Sequence, residues 1–432
     1  MSEQDGKQAT SIQRPPKNDP ERWKVCWETQ GQPWRTEPEI DAERQVFLTE
    51  RRSITPDIEK GIYPFKGIDP KLSRADVEWL LATHDNGHGP IDWSDESQRK
   101  RKGLDLRGAD LRQEDLSRLP LAQMRGGISF DEWREATEEQ RNMAAVQLQE
   151  ADLRGAQLQE ANLRGAQLHN AELVGAQLHK ADLIVAQLQG ANLKDAQLQG
   201  AVLRGAQLHK ANLVGAQLQG ADLSEAQLDS VRLNYVTLSD ERHGTVLLAD
   251  TQWGEVNLAV IDWGHVTRLG DEEAAQKKMV LVGYLEAVRA NRQLAVVLHN
   301  QGLNEDAARF SYRAQLMQRK VFWHQGIRSL GQYLFSLFLA LLTGYGYKPI
   351  RSFITYSIVI SMFAFIYYLL GTHLAWNEAI VISMTAFHGR GFFPEQFHPG
   401  DPQALVAAIE AFVGLLIEVT FIATLTQRLF GK

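Results

Sequence analysis

The chain has 432 residues and a formal net charge of −7, with 46 Lys and Arg against 53 Asp and Glu. This length allows two to four domains, and the charge balance excludes the strongly basic surface typical of nucleic-acid-binding proteins. The single cysteine, Cys26, excludes an internal disulfide and suits a reducing cytosol.

Residues 1–102 form a polar N-terminal region that we expect to be partly disordered, with no apolar segment typical of a signal peptide at its start. Ser73 and Asp76 have the spacing of a helix cap, which predicts a short helix running to Thr83. The histidines of the segment HDNGH, His84–His88, could bind a metal. Their glycine, asparagine and proline neighbours favour a polar turn instead.

From Val146 to Asp240 the sequence repeats every five residues, as in ADLRG AQLQE ANLRG AQLHN. Leucine holds the third place of the unit and alanine holds the first. Five is a multiple of neither the helical period of 3.6 nor the strand period of 2, so an amphipathic helix and a simple strand are both excluded. The period fits a square coil with one repeat on each face, with the leucines inside and the alanines beside them.

These units resemble the pentapeptide-repeat family, whose pattern is A-(D/N)-L-x-x and whose fold is a right-handed quadrilateral β-helix. The resemblance implies four units per coil, and stacking at about 4.8 Å gives this block a length on the order of 23 Å. Looser units extend the β-helix to residues 103–268, with a helical excursion at 124–145 that Ser129 and Glu132 should cap. We expect Trp253 and Trp263 to close the end of the rod.

Some members of this family imitate DNA with an acidic surface. Val146–Asp240 carries ten acidic residues against seven basic ones, a balance that favours a spacer or docking rod over a DNA mimic. We expect no nucleic acid among the partners. We do expect the repeat region to bind a cytosolic ligand or protein, whose identity the sequence does not give.

Residues 269–330 have apolar residues at helical spacing and predict a helical hairpin that connects the rod to the rest of the chain. Gly302 should end its first helix and Asn304 should cap the second. Residues 331–350 contain an apolar run of ten residues, Tyr333–Leu342, which is too short to cross a bilayer. With Trp323, Arg328 and Lys348 around it, this run predicts a helix that lies in the membrane interface.

Two apolar runs of about 20 residues, Ser352–Gly371 and Ala404–Leu425, are each long enough to span a hydrocarbon core of about 30 Å. The segment between them begins with Trp376–Phe387, which is apolar but too short to cross. A short helix followed by a glycine-rich loop that re-enters the membrane is the economical interpretation. Irregular backbone at that depth must be covered by protein or line a water-filled cavity. Residues 351–432 therefore predict a pore domain.

The segment SMTAFHGRGFFP, Ser383–Pro394, resembles the pore loop of two-transmembrane cation channels related to potassium channels. The second apolar run resembles the inner helix of that family, with Gly414 near its middle. The resemblance implies a selectivity filter in which backbone carbonyls face the ion, and it assigns to that filter Thr385, Ala386, Phe387, His388, Gly389, Arg390, Gly391 and Phe392. An alignment without gaps puts Thr385–Arg390 on the filter. If the alignment is shifted by two residues, Gly389–Gly391 fall on the Gly-Tyr-Gly of the filter.

The second run carries Glu410 and Glu418, about 80° apart around a helix. A carboxylate inside a bilayer is costly, so each should face a partner or water. We expect Glu418 to line the inner vestibule and attract cations. Glu410 should pair with Arg390, which then turns away from the pore axis. A helix-to-helix hydrogen bond without any pore is the alternative for both carboxylates.

The chain as a whole predicts a multidomain membrane protein and a cation-channel subunit. Its partners should be a bilayer, monovalent ions and further copies of itself, as a homotetramer. Basic residues flank the spans and acidic ones lie between them, which predicts an inner (cytoplasmic) membrane protein with both termini in the cytoplasm. The alternatives are a membrane-anchored repeat scaffold without conduction, and an anion channel that uses Arg390. No nucleophile with its base, metal-ligand spacing or phosphate loop is recognisable, so we expect neither an enzyme nor a cofactor or metal.

Overall fold

The structure is a computed structural model that describes residues 14–342, 344–345, 347, 349–371, 374–389 and 400–430. It divides into two compact units, one ending at Glu273 and the other beginning at Ala274.

Residues 14–102 are folded around a small core that includes Trp23, Trp27 and Leu48. Their helices are α1 (Pro20–Thr29), α2 (Ala42–Arg52), α3 (Arg74–Ala82) and α4 (His84–Gly87). The predicted cap of Ser73 and Asp76 is confirmed as a reciprocal capping box at the start of α3. The HDNGH segment is a tight polar turn, in which Nε2 of His84 and Nδ1 of His88 bond the backbone carbonyls of Lys102 and Asp85.

The rod is a β-helix with four five-residue units per coil, as predicted. Its parallel bridges join residues 20 positions apart, as in Gln147 with Gln167 and Gln167 with Gln187. The leucines and alanines of the repeat lie inside, with Leu178 and Ala176 fully buried. Each coil therefore satisfies its backbone hydrogen bonds with its neighbours and adds one layer to a continuous apolar core.

Two insertions leave the stacking intact. The first contains α5 (Phe130–Glu135) and α6 (Glu138–Ala144), and across it the bridges join residues 37 positions apart, as in Asp110 with Gln147. The second is a hairpin of β1 (Ser239–Asp240) and β2 (Gly244–Thr245), across which Asp222 bridges Leu247. The capping box predicted at Ser129 opens α5. Insertions of this kind bulge out at a corner because only the ladder positions need to keep their register.

The last units close the rod. Gln252 still bridges Gln227, but the following units form single 3-10 turns at Leu258–Val260 and Trp263–His265. Trp263 is buried, and its Nε1 donates to the carbonyl of Leu258 at 3.0 Å. Trp253 is buried as well. Both large rings cover the end of the core, where a further coil would otherwise stack, in agreement with the sequence prediction.

We expect residues 14–273, expressed alone, to be soluble and to unfold cooperatively, because the rod carries its own core and both end structures. Circular dichroism of this fragment should show little helix and a single thermal transition. A fragment ending at Gln252 lacks the closing turns and should melt at a lower temperature. A mainly helical spectrum, or no cooperative transition, would contradict the modular description.

Asp271 joins the rod to the start of α7 (Gly270–Lys278). Its buried carboxylate accepts hydrogen bonds from the backbone amides of Leu248 at 2.8 Å and Ala249 at 3.1 Å. Burial raises the pKa of Asp271 to about 7, although these amides oppose the rise. The carboxyl group in an unfolded chain has a pKa of about 3.9.

The folded rod thus binds the Asp271 proton more tightly than the unfolded chain does. Its contribution to the free energy of unfolding is complete below pH 4 and is lost as the pH rises through about 7. The melting temperature of residues 14–273 should therefore fall across this window, and Asp271→Asn should flatten the profile. Equal slopes for the two proteins would show that Asp271 does not titrate there.

The second unit begins with a helical hairpin of α8 (Leu281–Asn300) and α9 (Asn304–His324), as predicted for the connector. Gly302, with φ of +78°, ends the hairpin's first arm. The predicted cap by Asn304 is wrong. Asn304 is already the first helical residue, and its Oδ1 instead contacts Nδ1 of His299 at 2.9 Å, so it ties the two arms together.

The remaining helices are α10 (Leu330–Leu342), α11 (Pro349–Leu370), α12 (Trp376–Phe387) and α13 (Pro402–Phe430). α11 and α13 are long and apolar enough to span a membrane, and α10 is a shorter apolar helix. Large apolar side chains on the outer faces of α11 and α13, such as Phe353 and Phe412, are exposed. These helices lack the polar outer face that a helix in water requires.

Candidate pore-loop site

α12 lies against both long helices of the second unit. Its twelve residues cover only about 18 Å, so it cannot cross a hydrocarbon core. Glu378 accepts from the backbone amide of Ala375 and thereby satisfies one amide at the start of the helix. Ala379 and Ile382 face inward and pack on Phe363 and Tyr367 of α11. The sequence predicted a short helix with these bounds.

The structure locates five of the eight predicted filter residues. Thr385, Ala386 and Phe387 form the last turn of α12, and the Thr385 hydroxyl donates to carbonyls of its own helix. His388 and Gly389 follow as a turn, with Gly389 at a φ of +66°. The other three predicted filter residues lie outside the described residues: Arg390, Gly391 and Phe392.

A carbonyl-lined filter needs carbonyls that are free of helical hydrogen bonds. Thr385 to Phe387 are helical and largely turned into the protein, since Ala386 and Phe387 are buried. The last carbonyls of a helix have no intrahelical partner, and both alignments place residues of this last turn in the filter, so the choice between the two alignments stays a prediction.

Gly414 is the point of closest approach between α13 and the end of α12. A β-carbon built on Gly414 would lie 2.0 Å from the carbonyl oxygen of Phe387, which is far inside van der Waals contact. Phe387 itself packs between Ile360 of α11 and Ile417 of α13. Because Gly414 has no side chain, the end of α12 can pack directly on α13, and this contact sets where the loop after α12 begins.

Glu410 is fully buried next to this contact. Oγ of Ser383 lies 2.5 Å from Oε1 of Glu410 and 2.9 Å from the carbonyl oxygen of Ile360, so its single hydroxyl proton serves two acceptors. The hydroxyl of Tyr367 interacts with the same carboxylate. One buried polar cluster thus joins α11, α12 and α13. The predicted partner Arg390 lies outside the described residues, so that pairing stays a prediction.

Glu418 lies two turns further along α13, and its side chain is 40% exposed. Its Oε1 accepts from Nδ1 of His388 at 2.5 Å, and Nε2 of His388 lies 3.4 Å from the hydroxyl of Tyr356. This half-exposed group sits where α12 ends and the loop begins. Because both side chains of this pair are partly exposed, ions and water can reach them, whereas Glu410 is fully buried.

Both carboxylates of α13 thus have partners within a single chain. Such contacts between helices of one chain are the alternative that the sequence offered for both carboxylates. The sequence did not identify Ser383 and Tyr367 as the partners of Glu410, or His388 as the partner of Glu418. A signal was present, because Ser383 lies on the same helical face as the buried Ala379, Ile382 and Ala386. It could not be used without knowing which helix this face meets.

The chain is similar to several pentapeptide-repeat proteins. The family model "Pentapeptide repeats" matches residues 147–183, 186–224 and 211–240, in eight copies. The solved structure of the pentapeptide repeat protein Rfr23 from Cyanothece 51142 is 28% identical, covering 37% of this chain and 93% of that one, with a TM-score of 0.17. A pentapeptide repeat protein from the Arabidopsis thaliana thylakoid lumen is 25% identical, covering 31% and 70%, with a TM-score of 0.13.

HetL, a pentapeptide repeat protein of Nostoc sp. PCC 7120 involved in regulating heterocyst differentiation, is 20% identical over 43% of this chain and 95% of its own, with a TM-score of 0.11. No curated protein matches the chain at a significant level. Residues 147–240 thus carry pentapeptide repeats, and they lie in a β-helix with four units per coil. Two apolar helices that could anchor it in a membrane follow the rod.

Proposed function

We propose that this protein is the subunit of an ion channel, with a cytosolic pentapeptide-repeat domain that regulates or docks it. In this proposal α11 and α13 cross the inner membrane, and α12 with the loop after it enters from the outer side. The observation that carries the proposal is α12 itself. It is too short to cross, is held between two helices that can cross, and ends at a half-exposed ionisable pair, His388 and Glu418.

The end of α12 favours cations. The C-terminus of a helix carries a partial negative charge, and that of α12 is directed at His388 and Gly389. Glu418 adds a carboxylate on the facing helix. Arg390 works in the opposite direction if it faces the axis, which would make the channel anion-selective. We therefore propose a cation channel in which Arg390 turns away from the axis.

A single chain offers only one loop, so a filter requires several copies around an axis. We propose a homotetramer, by analogy with the two-transmembrane channels that the pore loop resembles. Arg328 precedes α11, Arg351 lies in its first turn, and Arg428 lies near the end of α13. The connection between the spans contains Glu395 and Asp401. The excess of basic residues outside that connection supports cytoplasmic termini and a cytosolic rod.

Purified full-length protein in a planar bilayer tests the proposal directly. Currents should appear, and the reversal potential should follow a gradient of the cation rather than one of chloride. A reversal potential that follows chloride would show an anion channel. Absence of current from protein that is folded and tetrameric by native mass measurement would reject conduction.

Replacing Glu418 by Gln should lower cation conductance at low salt and have less effect at high salt, where ions screen the carboxylate. Single-channel recording at two salt concentrations measures this. The matched control is Glu305→Gln, because Glu305 is exposed at the start of α9 and lies far along the chain from the loop. A Glu418→Gln conductance that equals that of the unmodified protein at both salt concentrations would remove Glu418 from the ion path.

One observation favours a second function, a repeat scaffold anchored by a helical hairpin without conduction. The buried Glu410 has a hydrogen-bond partner, Ser383, in its own chain, so its carboxylate does not require a second subunit as its partner. A scaffold of this kind would be monomeric in gentle detergent and silent in a bilayer. The channel would be oligomeric and would conduct.

A further inference from the structure

The charges of this chain are strongly segregated. Between Asp306 and Glu378 the sequence has no acidic residue, yet this stretch carries the basic residues Arg309, Arg313, Arg319, Lys320, Arg328, Lys348 and Arg351. The chain as a whole has a net charge of −7. A long stretch of one sign, placed immediately before an apolar helix, is the pattern that anionic lipid surfaces attract.

An apolar surface lies in the middle of this basic stretch. It begins at Trp323 in the last turn of α9, where that side chain is 62% exposed, and continues through Ile327, which is 91% exposed. Along α10 four exposed side chains follow one another at spacings of three and four residues, and Phe335 adjoins them, which puts all five on one side of the helix. The α10 members of this surface are Leu330, Leu334, Phe335, Phe338 and Leu341.

The opposite side of α10 is small and polar and packs inward. Ser336 and Ala340 are each only 8% exposed, and Oγ of Ser336 lies 2.8 Å from the hydroxyl of Tyr345. Arg351, at the start of α11, donates to the carbonyl of Ala340. The helix is therefore held by one side, and its apolar side is left outward. Its thirteen residues are too few to cross a bilayer.

We propose that the surface formed by Trp323, Ile327 and the exposed side of α10 lies in the headgroup region of an anionic lipid leaflet, with Lys320 and Arg328 contacting the lipid phosphates. The sequence predicted only that this helix lies in the membrane interface. The proposal adds which side of the helix faces the lipid and that the lipid is anionic. Continuity with α11 favours lipid over a protein partner, because the same chain would enter the bilayer a few residues later. The inference rests on the proposed membrane placement of α11 and does not depend on conduction.

Two measurements on the full-length protein in lipid nanodiscs test the proposal. The first replaces Phe335 by Cys in a Cys26→Ser background and attaches a spin label. The label should collide more often with oxygen, which concentrates in lipid, than with a water-soluble nickel chelate. Val296→Cys on α8 is the matched control, since Val296 is 58% exposed and lies outside the surface. Its label should show the reverse preference.

The second measurement compares spin-labelled anionic and zwitterionic lipids bound to the protein. Lys320→Gln with Arg328→Gln should lower the preference for the anionic lipid by at least about fivefold, the effect expected for one basic residue near the surface. The control pair, Lys277→Gln with Lys278→Gln on α7, removes the same charge and should leave the preference unchanged. Equal losses in both pairs, or a water-exposed label at residue 335, would overturn the proposal. Silent bilayers with a lipid-facing label would reject the channel and leave this surface standing.

Discussion

Gly414→Ala should disrupt the second unit, although it adds only one methyl group. That methyl would lie 2.0 Å from the Phe387 carbonyl oxygen, so α12 and α13 would have to separate. Because the obstacle is backbone, no rotamer change can relieve it. Overpacking of a filled interior costs about 1–3 kcal/mol and sometimes more. Thermal unfolding of the full-length protein in detergent, followed by size-exclusion chromatography, should show an earlier transition and loss of the native species.

Gly331→Ala is the matched control, since it makes the same change in another apolar helix of the same unit. A β-carbon at Gly331 would meet no atom within 4 Å. Alanine forms helix more readily than glycine, so this variant should be neutral or slightly more stable. Opposite outcomes at the two glycines are the expected result. A Gly414→Ala protein as stable as the Gly331→Ala protein would show that α12 does not pack on α13 as described.

The fold of the rod could be predicted from sequence because its information is local and repeated. Leucine at the third place of each five-residue unit and alanine at the first place specify one interior. The five-residue period excludes an amphipathic helix and a simple strand. α12 was predictable for a related reason, since its apolar length is fixed between polar flanks. The sequence separations of 25 and 37 residues between bridged positions could not be predicted, because the length of an insertion follows no periodic rule.

The candidate site was less predictable because it depends on contacts between helices. The sequence indicated that Glu410 needs a partner but could not identify Ser383, which comes from a separate helix 27 residues away. It identified Gly414 by resemblance and gave no reason for it, because the reason is the position of one carbonyl on α12. The two filter alignments were equivalent in sequence. They stay equivalent, because Thr385 lies in the last turn of α12, whose final carbonyls have no intrahelical partner.

Replacing Glu410 should give the largest loss, because its carboxylate is buried where three helices meet. Glu410→Ala removes an acceptor of Ser383 and Tyr367 and leaves a cavity. A buried hydroxyl left unpaired costs about 1–3 kcal/mol, and the cavity adds to that loss. The more informative experiment is a pair of double-mutant cycles. In the first, Ser383→Ala is combined with Glu410→Ala, and the double variant should cost less than the sum of the single ones.

The second cycle combines Arg390→Ala with Glu410→Ala and measures the pairing that the sequence predicted. Both cycles use the free energy of unfolding in detergent, or the fraction of assembled protein, as the readout. Coupling with Ser383 alone would place Glu410 in a structural cluster and leave Arg390 free to face the pore axis, where it would favour anions. Coupling with both Ser383 and Arg390 would show that Glu410 has a hydrogen-bond donor and also an arginine that balances its negative charge, which a neutral serine cannot do. Additive effects in both cycles would contradict the polar cluster itself.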